Sequence, residues 1–145
     1  MKISTRGKNA IKLMLDLATY YQGEPVKVKD IARRQNISEK YLEQIIAVLN
    51  KATLVKSIRG AHGGYVLTSP PEKYTVGQIL KTVEGNMAPT DCFGENGTPC
   101  ENKATCVSYR LWEKLDDAIN GVLETITLAN LLEWQNEIAA DQYMI

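Results

Sequence analysis

SEKYLEQIIAVLNKATLVKSIRGAHGGYVL, residues 38–67, places a helix and a hairpin back to back. Ser38 carries a side-chain oxygen suited to the free amides of a helix start, and the spacing predicts a helix over Glu39–Lys51. Leu42, Ile45, Ile46 and Leu49 recur at steps of three and four and form one apolar stripe. The opposite face shows Lys40, Glu43, Gln44 and Ala47, with Tyr41 at its edge. Leu54–Ile58 then reads as a strand, Arg59–Gly64 as a glycine-rich tip and Tyr65–Leu67 as the return strand.

Upstream, Val28–Gln35 reads as a short helix broken by Asn36. A short helix, a tight turn and a second helix with a polar outer face is the helix-turn-helix pattern. A hairpin directly after it is a wing. Gly60, Gly63 and Gly64 allow the tip positive φ and close approach to another backbone, and Arg59 at its base suits a minor groove. The first helix is predicted over Ser4–Tyr21, where Ala10, Met14, Leu17, Ala18 and Tyr21 share a face. Gly23 and Pro25 end it.

Downstream, Pro70-Pro71 closes a first unit, residues 1–73. Residues 74–145 hold a linker helix (Thr75–Glu84), a long loop (Gly85–Thr105) and the longest helix (Val107–Ile126). The tail, Leu131–Ile145, reads as a short helix and a loose end. Trp112, Leu115, Ile119, Val122 and Ile126 alternate at steps of three and four, a heptad-like seam expected to join two copies of the chain. The expected class is mainly α with a small β-hairpin: a winged helix-turn-helix followed by a long dimerisation helix.

The net charge is zero over 145 residues, yet its distribution is uneven. Residues 1–73 hold 13 Lys/Arg and 6 Asp/Glu, and residues 74–145 hold 4 and 11. A basic front half suits a phosphate backbone, and an acidic back half avoids it. Lys8, Lys27, Lys29 and Arg33 are expected phosphate contacts, which set salt dependence rather than sequence choice. Double-stranded DNA is the expected partner. Catalysis is not expected: there is a single histidine, His62, and no phosphate-binding glycine motif ahead of a helix. No apolar run is long enough for a membrane span, and the polar start MKISTRGKNA lacks a signal peptide. A cytoplasmic location is the expectation.

Three stretches, ISTRGKNAIKLMLDLA, ISEKYLEQII and VKSIRGAHGGYVL, together resemble the Rrf family of winged-helix regulators. The resemblance covers nearly the whole chain and includes ITLANLL near its end. It implies that Ser38, Lys40, Tyr41 and Gln44 approach the major groove and that Arg59 enters the minor groove, with His62 near DNA at the wing tip. The chemistry agrees, because glutamine bonds adenine bidentately and lysine reaches guanine or phosphate. Glu43 is repelled by phosphate but accepts from cytosine N4, and the resemblance gives it a part in operator choice.

Cys92, Cys100 and Cys106 fall within 15 consecutive residues. Their spacing lacks the Cys-x2–4-Cys pair usual for structural zinc, and thiolates on one loop suit an iron–sulfur cluster. The IscR-like branch of the family also has three loop cysteines, which implies a 2Fe–2S cluster rather than 4Fe–4S, a repressor role and control of cluster-assembly genes. The pattern departs where that branch places a histidine three residues after the third cysteine, because Tyr109 stands there. Lys8 stands where some relatives supply an acidic ligand from the partner subunit. Asp91, Glu95, Glu101, Tyr109 and an exogenous thiol are the candidates for the fourth ligand. The CymR-like branch offers the alternative of a cluster-free regulator of cysteine or sulfur metabolism, controlled by a partner protein of cysteine synthesis or by thiol oxidation. The apolar end Tyr143-Met144-Ile145 matches that branch. A zinc site and cysteines without a ligand are the remaining readings.

Overall fold

The computed structural model describes residues 2–93 and 101–144. Six α-helices and one hairpin follow in the order α1 (Thr5–Tyr20), α2 (Val28–Gln35), α3 (Glu39–Lys51), β1 (Val55–Ile58), β2 (Gly64–Leu67), α4 (Val76–Glu84), α5 (Val107–Leu123) and α6 (Leu128–Tyr143). A 3-10 turn at Pro71–Lys73 precedes α4. The helical winged architecture expected from the sequence is therefore present.

Four helices begin on a hydroxyl that accepts from an amide of the first turn. Ser4 Oγ accepts from Gly7 at 3.1 Å, and Ser38 Oγ from Tyr41 at 3.2 Å. Thr75 Oγ1 accepts from Gln78 at 3.0 Å, and Thr127 Oγ1 from Asn130 at 3.2 Å. Such caps satisfy amides that have no partner within the helix. α2 stops at Asn36, whose backbone is left-handed (φ 54°, ψ 50°), a conformation that asparagine tolerates better than most residues.

The hairpin is antiparallel, with Val55 opposite Leu67, Lys56 opposite Val66, Ser57 opposite Tyr65 and Ile58 opposite Gly64. Successive side chains point to opposite faces. Val55 is buried, so Lys56, Ile58 and Val66 share the outer face. Val26, just before α2, adds a further rung: its amide donates to Tyr65 at 2.9 Å, and the Tyr65 amide returns a bond at 2.8 Å. A Cβ on Gly64 would lie 2.4 Å from the Val26 carbonyl oxygen, so this approach requires glycine.

One core gathers Leu13, Met14 and Leu17 of α1, Ile31 of α2, Leu42, Ile45 and Leu49 of α3, Ile79 of α4 and Leu128 of α6. It runs across residue 73, and α4 packs directly on α1. A smaller cluster of Val76, Leu80, Met87 and Leu123 seats the end of α5. Tyr74 locks the junction. Its hydroxyl donates to the Leu54 carbonyl at 2.8 Å and accepts the Thr68 and Ser69 amides at 2.9 and 3.0 Å.

Two boundaries differ from the sequence reading. α5 ends at Leu123, not Ile126. The chain beyond it is claimed by α4: the Ile126 carbonyl accepts the Val76 amide at 2.9 Å, and Thr127 bridges Thr75. The tail is not a short helix with a loose end but a 16-residue helix from Leu128. Its start is a capping box in which Asn130 returns a bond to the Thr127 amide, where glutamate or glutamine is the usual partner. Among the described residues no helix is long and apolar enough to cross a membrane.

Tyr74→Phe removes one hydroxyl, leaves the Leu54 carbonyl only its longer bonds from Thr68 (3.3 and 3.4 Å) and takes the partner of the Ser69 amide. The expected loss is about 1–3 kcal/mol in urea unfolding, the cost of leaving buried polar groups unsatisfied. A loss of about 0.5 kcal/mol or less, typical of a surface change, would mean that water replaces the hydroxyl.

Candidate nucleic-acid interface

The position of α3 is set by the two helices beneath it. Asp16, near the end of α1, is only 2% exposed. Arg34 donates to both of its oxygens, Nε to Oδ2 at 3.0 Å and Nη2 to Oδ1 at 2.7 Å, and Gln35 Nε2 adds a third bond at 2.9 Å. The Arg34 guanidinium also lies 3.9 Å over the Tyr20 ring, a favourable cation–π placement. Its hydrogen bond to Asp16 raises its pKa above the ordinary value. The sequence reading did not single out Asp16, Arg34 or Gln35. The available signal was a lone carboxylate on the apolar face of α1, one turn from Leu13 and Tyr20.

With α2 so anchored, Asn36-Ile37-Ser38 turns the chain into α3. Lys40, Glu43, Gln44 and Ala47 are exposed along one face. Lys40 and Glu43 form no salt bridge with any described residue. Ser38 is also exposed; its oxygen is spent on the cap, which leaves its proton to donate. Tyr41 is half-buried against the core.

The wing follows α3 directly, and β1 packs against that helix. Arg59, Gly60, Ala61 and His62 are exposed at its tip, and Gly60 has φ 118°. Lys27 Nζ donates to the Ala61 carbonyl at 3.4 Å, so this lysine steadies the wing tip. Gly63 and Gly64 are half-buried. A Cβ on Gly63 would lie 2.3 Å from the Ile58 carbonyl oxygen, so Gly63 serves the packing of the hairpin itself and Gly64 the rung from Val26. Lys8 and Lys29 are exposed, and Arg33 pairs with Asp30 at 3.5 Å.

The described ends of the cysteine segment meet through an aromatic pair. Phe93, next to Cys92, stacks on Tyr109 of α5 with centroids 5.0 Å apart and planes 26° apart. Lys103 Nζ lies 5.4 Å from the same ring. Tyr109 is buried, whereas Cys92 and Cys106 are half-exposed free thiols. Cys106 is the N-cap residue of α5, and its Sγ lies 3.2 Å from Ser108 Oγ. That hydrogen bond, then the backbone amide of Tyr109, holds the thiol below its ordinary pKa. Asp91 and Glu101 are exposed. Cys100 and Glu95 lie outside the described residues, and among those described no group of three or more metal-binding side chains converges.

The apolar seam of α5 divides between two faces. Ile119 and Ile126 pack on the chain's own second cluster, and Trp112 is half-buried. Leu115 and Val122 face outward with Val107 and Leu111, and Val107 is 84% exposed. On α6, Trp134 and Ile138 are also exposed.

A capped recognition helix with a free polar face, seated on a helix-turn-helix and flanked by a wing, defines a winged-helix DNA-binding transcription regulator. The chain belongs to the Rrf2 family, whose description is iron-dependent transcriptional regulator and whose sequence model matches residues 3–134. It is 40% identical to the transcriptional regulator CymR of Bacillus subtilis over 134 residues, 92% of this chain and 91% of that protein. It is 39% identical to the regulator IscR of Aliivibrio salmonicida, over 91% of this chain and 77% of that one. The structure of B. subtilis CymR, the global cysteine regulator of that organism, superposes with a TM-score of 0.76 at 40% identity, covering 92% of this chain and 98% of the other. T. potens IscR gives the same TM-score at 42% identity, covering 95% and 90%. These relatives are regulators of transcription, and the chain is accordingly not an enzyme.

On an operator selected from a random-sequence DNA pool, Gln44→Ala and Arg59→Ala should each weaken binding by about 1–3 kcal/mol, the value of one good base contact. Lys29→Ala should weaken all sequences alike and lower the slope of affinity against salt by about one. Unchanged affinity for both of the first two variants at fixed salt would remove α3 and the wing from the interface.

Proposed function

We propose that this chain is a homodimeric repressor that reads an operator with α3 and the wing and senses iron–sulfur or redox status through Cys92, Cys100 and Cys106. Ser38, Lys40, Tyr41, Glu43 and Gln44 enter the major groove. Arg59 reaches the minor groove, with His62 close to DNA. Lys8, Lys27, Lys29 and Arg33 hold phosphates. Genes of cluster assembly are the proposed targets.

The observation that supports the sensing reading is the Phe93–Tyr109 stack, which seats the neighbour of Cys92 against a residue three positions along α5 from Cys106. The donor set fits a cluster: two half-exposed thiols, one of them favoured as thiolate by Ser108 and the start of a helix. Cys92 and Cys106, with Cys100, would hold a 2Fe–2S cluster, and such a group supplies a redox-labile link between the thiolates. The residues around it transmit the change. The segment leaves α4 at Gly85 and enters α5 at Cys106, so its ordering shifts one helix against the other. Half-site spacing is set by the dimer, and a small rotation changes operator affinity. Couplings of this kind are about 1–3 kcal/mol.

A specific feature favours a second reading. Tyr109, at the place of a fourth ligand, is buried and occupied by its stack with Phe93. A cluster-free regulator of cysteine metabolism, governed by a partner protein or by thiol oxidation, needs no fourth ligand.

Anaerobic reconstitution with iron and sulfide decides between them. Visible charge-transfer bands that vanish in the Cys92→Ala/Cys100→Ala/Cys106→Ala variant are expected. Colourless protein that binds its operator as tightly as the variant does would favour the cluster-free regulator.

The dimer has its own test. The outward stripe of α5 is the proposed seam, so Leu115→Glu/Val122→Glu should sediment as a folded monomer with weakened operator binding. A dimer that survives both charges would move the interface elsewhere.

A further inference from the structure

Among the described residues, apart from α5, α6, Met144 just after it, and Tyr20, which lies under Arg34, the exposed large apolar side chains are Tyr21 (53%) and Ile58 (40%). Both line one groove of about 530 Å³. Its walls are the C-terminal end of α1 (Leu17, Ala18), the outer face of the wing (Lys56, Ile58, Val66) and Pro70-Pro71. A volume of 300–1,000 Å³ with a mainly apolar lining and a few polar groups is typical of a small-molecule site. Among the described residues the lining is apolar except for Ser69, the Tyr21 hydroxyl and a single charge, Lys56. Lys56 is exposed and has no salt-bridge partner among the described residues. It stands beside Ile58 and Val66 on one face of the hairpin, so its stem runs along apolar surface towards its charged end.

We propose that this groove binds a small organic carboxylate with an apolar, preferably aromatic, body. The body fits between the α1 end and the prolines, where the Tyr21 ring and Pro70-Pro71 offer flat faces. The carboxylate pairs with the Lys56 ammonium, the one charged group on the lining among the described residues, in a half of the molecule that carries a net positive charge. A protein segment or a second copy of the chain is the less suitable occupant. The broad exposed apolar surface lies elsewhere, on α5 and α6, whereas this groove is short and closed by the wing on one side. Because the wing is one wall, a bound acid props it against α1 and alters how its tip meets DNA. That consequence rests on the DNA-binding reading, and the binding itself does not.

The test uses the full chain without DNA, methyl-labelled for NMR, titrated with 4-phenylbutyrate and separately with its neutral amide. The acid should shift the methyl signals of Leu17, Ile58 and Val66 with a saturable profile, and the amide should bind more weakly. Lys56→Gln, an exposed change that leaves the core intact, should weaken the acid by about tenfold, as for one charge-assisted hydrogen bond, and leave the amide unchanged. Groove methyls that do not respond to millimolar acid would overturn the proposal. Equal affinity for acid and amide, or indifference to Lys56→Gln, would overturn it too, as would shifts confined to α5 and α6. Because no DNA is present, failure here leaves the operator reading untouched, and loss of operator binding leaves this site untouched.

Discussion

The geometry of the recognition surface depends on one buried carboxylate. Taking Asp16 out of water costs several kcal/mol unless charges and hydrogen bonds replace its hydration. Three donors do so, all from the last two residues of α2. Breaking such a pair from one side leaves an uncompensated charge, at about 3–5 kcal/mol, whereas a well-packed apolar replacement is often neutral. The pair therefore contributes direction more than net stability. The Arg34 fork accepts a carboxylate in few orientations, so it fixes the end of α2 against α1. Three residues later α3 begins, and its polar face inherits that direction.

Tyr74 plays the corresponding part for the wing. Its hydroxyl gathers Leu54, Thr68 and Ser69, the two feet of the hairpin. Its carbonyl accepts the Leu128 amide at 2.9 Å, so the same residue touches the start of α6. Val26 adds a further rung to the wing from the loop before α2. The wing is thus bound on one side to the helix-turn-helix and on the other to the acidic C-terminal half. That half does not hang from a linker: Ile79, Val83 and Leu128 complete the core that α1–α3 begin.

Periodicity made most of this legible, because a stripe at helical spacing has one physical use. Leu42, Ile45, Ile46 and Leu49 are core, so Lys40, Glu43 and Gln44 must face outward. The wing glycines were legible as glycines, but for Gly64 the reason lies in a single backbone rung from Val26, and one rung leaves no strand pattern to read. Asp16 was hidden because its meaning needs partners 18 and 19 residues away. α6 was under-read because its capping box uses Asn130, and because Leu128 belongs to the core while Trp134 and Ile138 do not. On α5 the sequence shows apolar residues on two sides. Spacing alone cannot say that Ile119 faces the chain itself while Leu115 faces away.

α4 is where the two halves meet mechanically. Its first turn is bridged to the α5–α6 connection through Val76 and Thr75. At its other end, Glu84 accepts a hydrogen bond from Ser4, the N-cap of α1, where the positive end of the helix dipole favours a carboxylate. The next residue, Gly85, opens the cysteine segment. The start of that segment thus lies next to the residue that meets the start of α1. α1 in turn carries Asp16 at its far end. α1 therefore meets α4 at its start and α2 near its end, each through a carboxylate. α4, which precedes the cysteine segment, and α2, which leads into α3, are therefore joined through two hydrogen-bonded carboxylates, Glu84 and Asp16, on either end of α1.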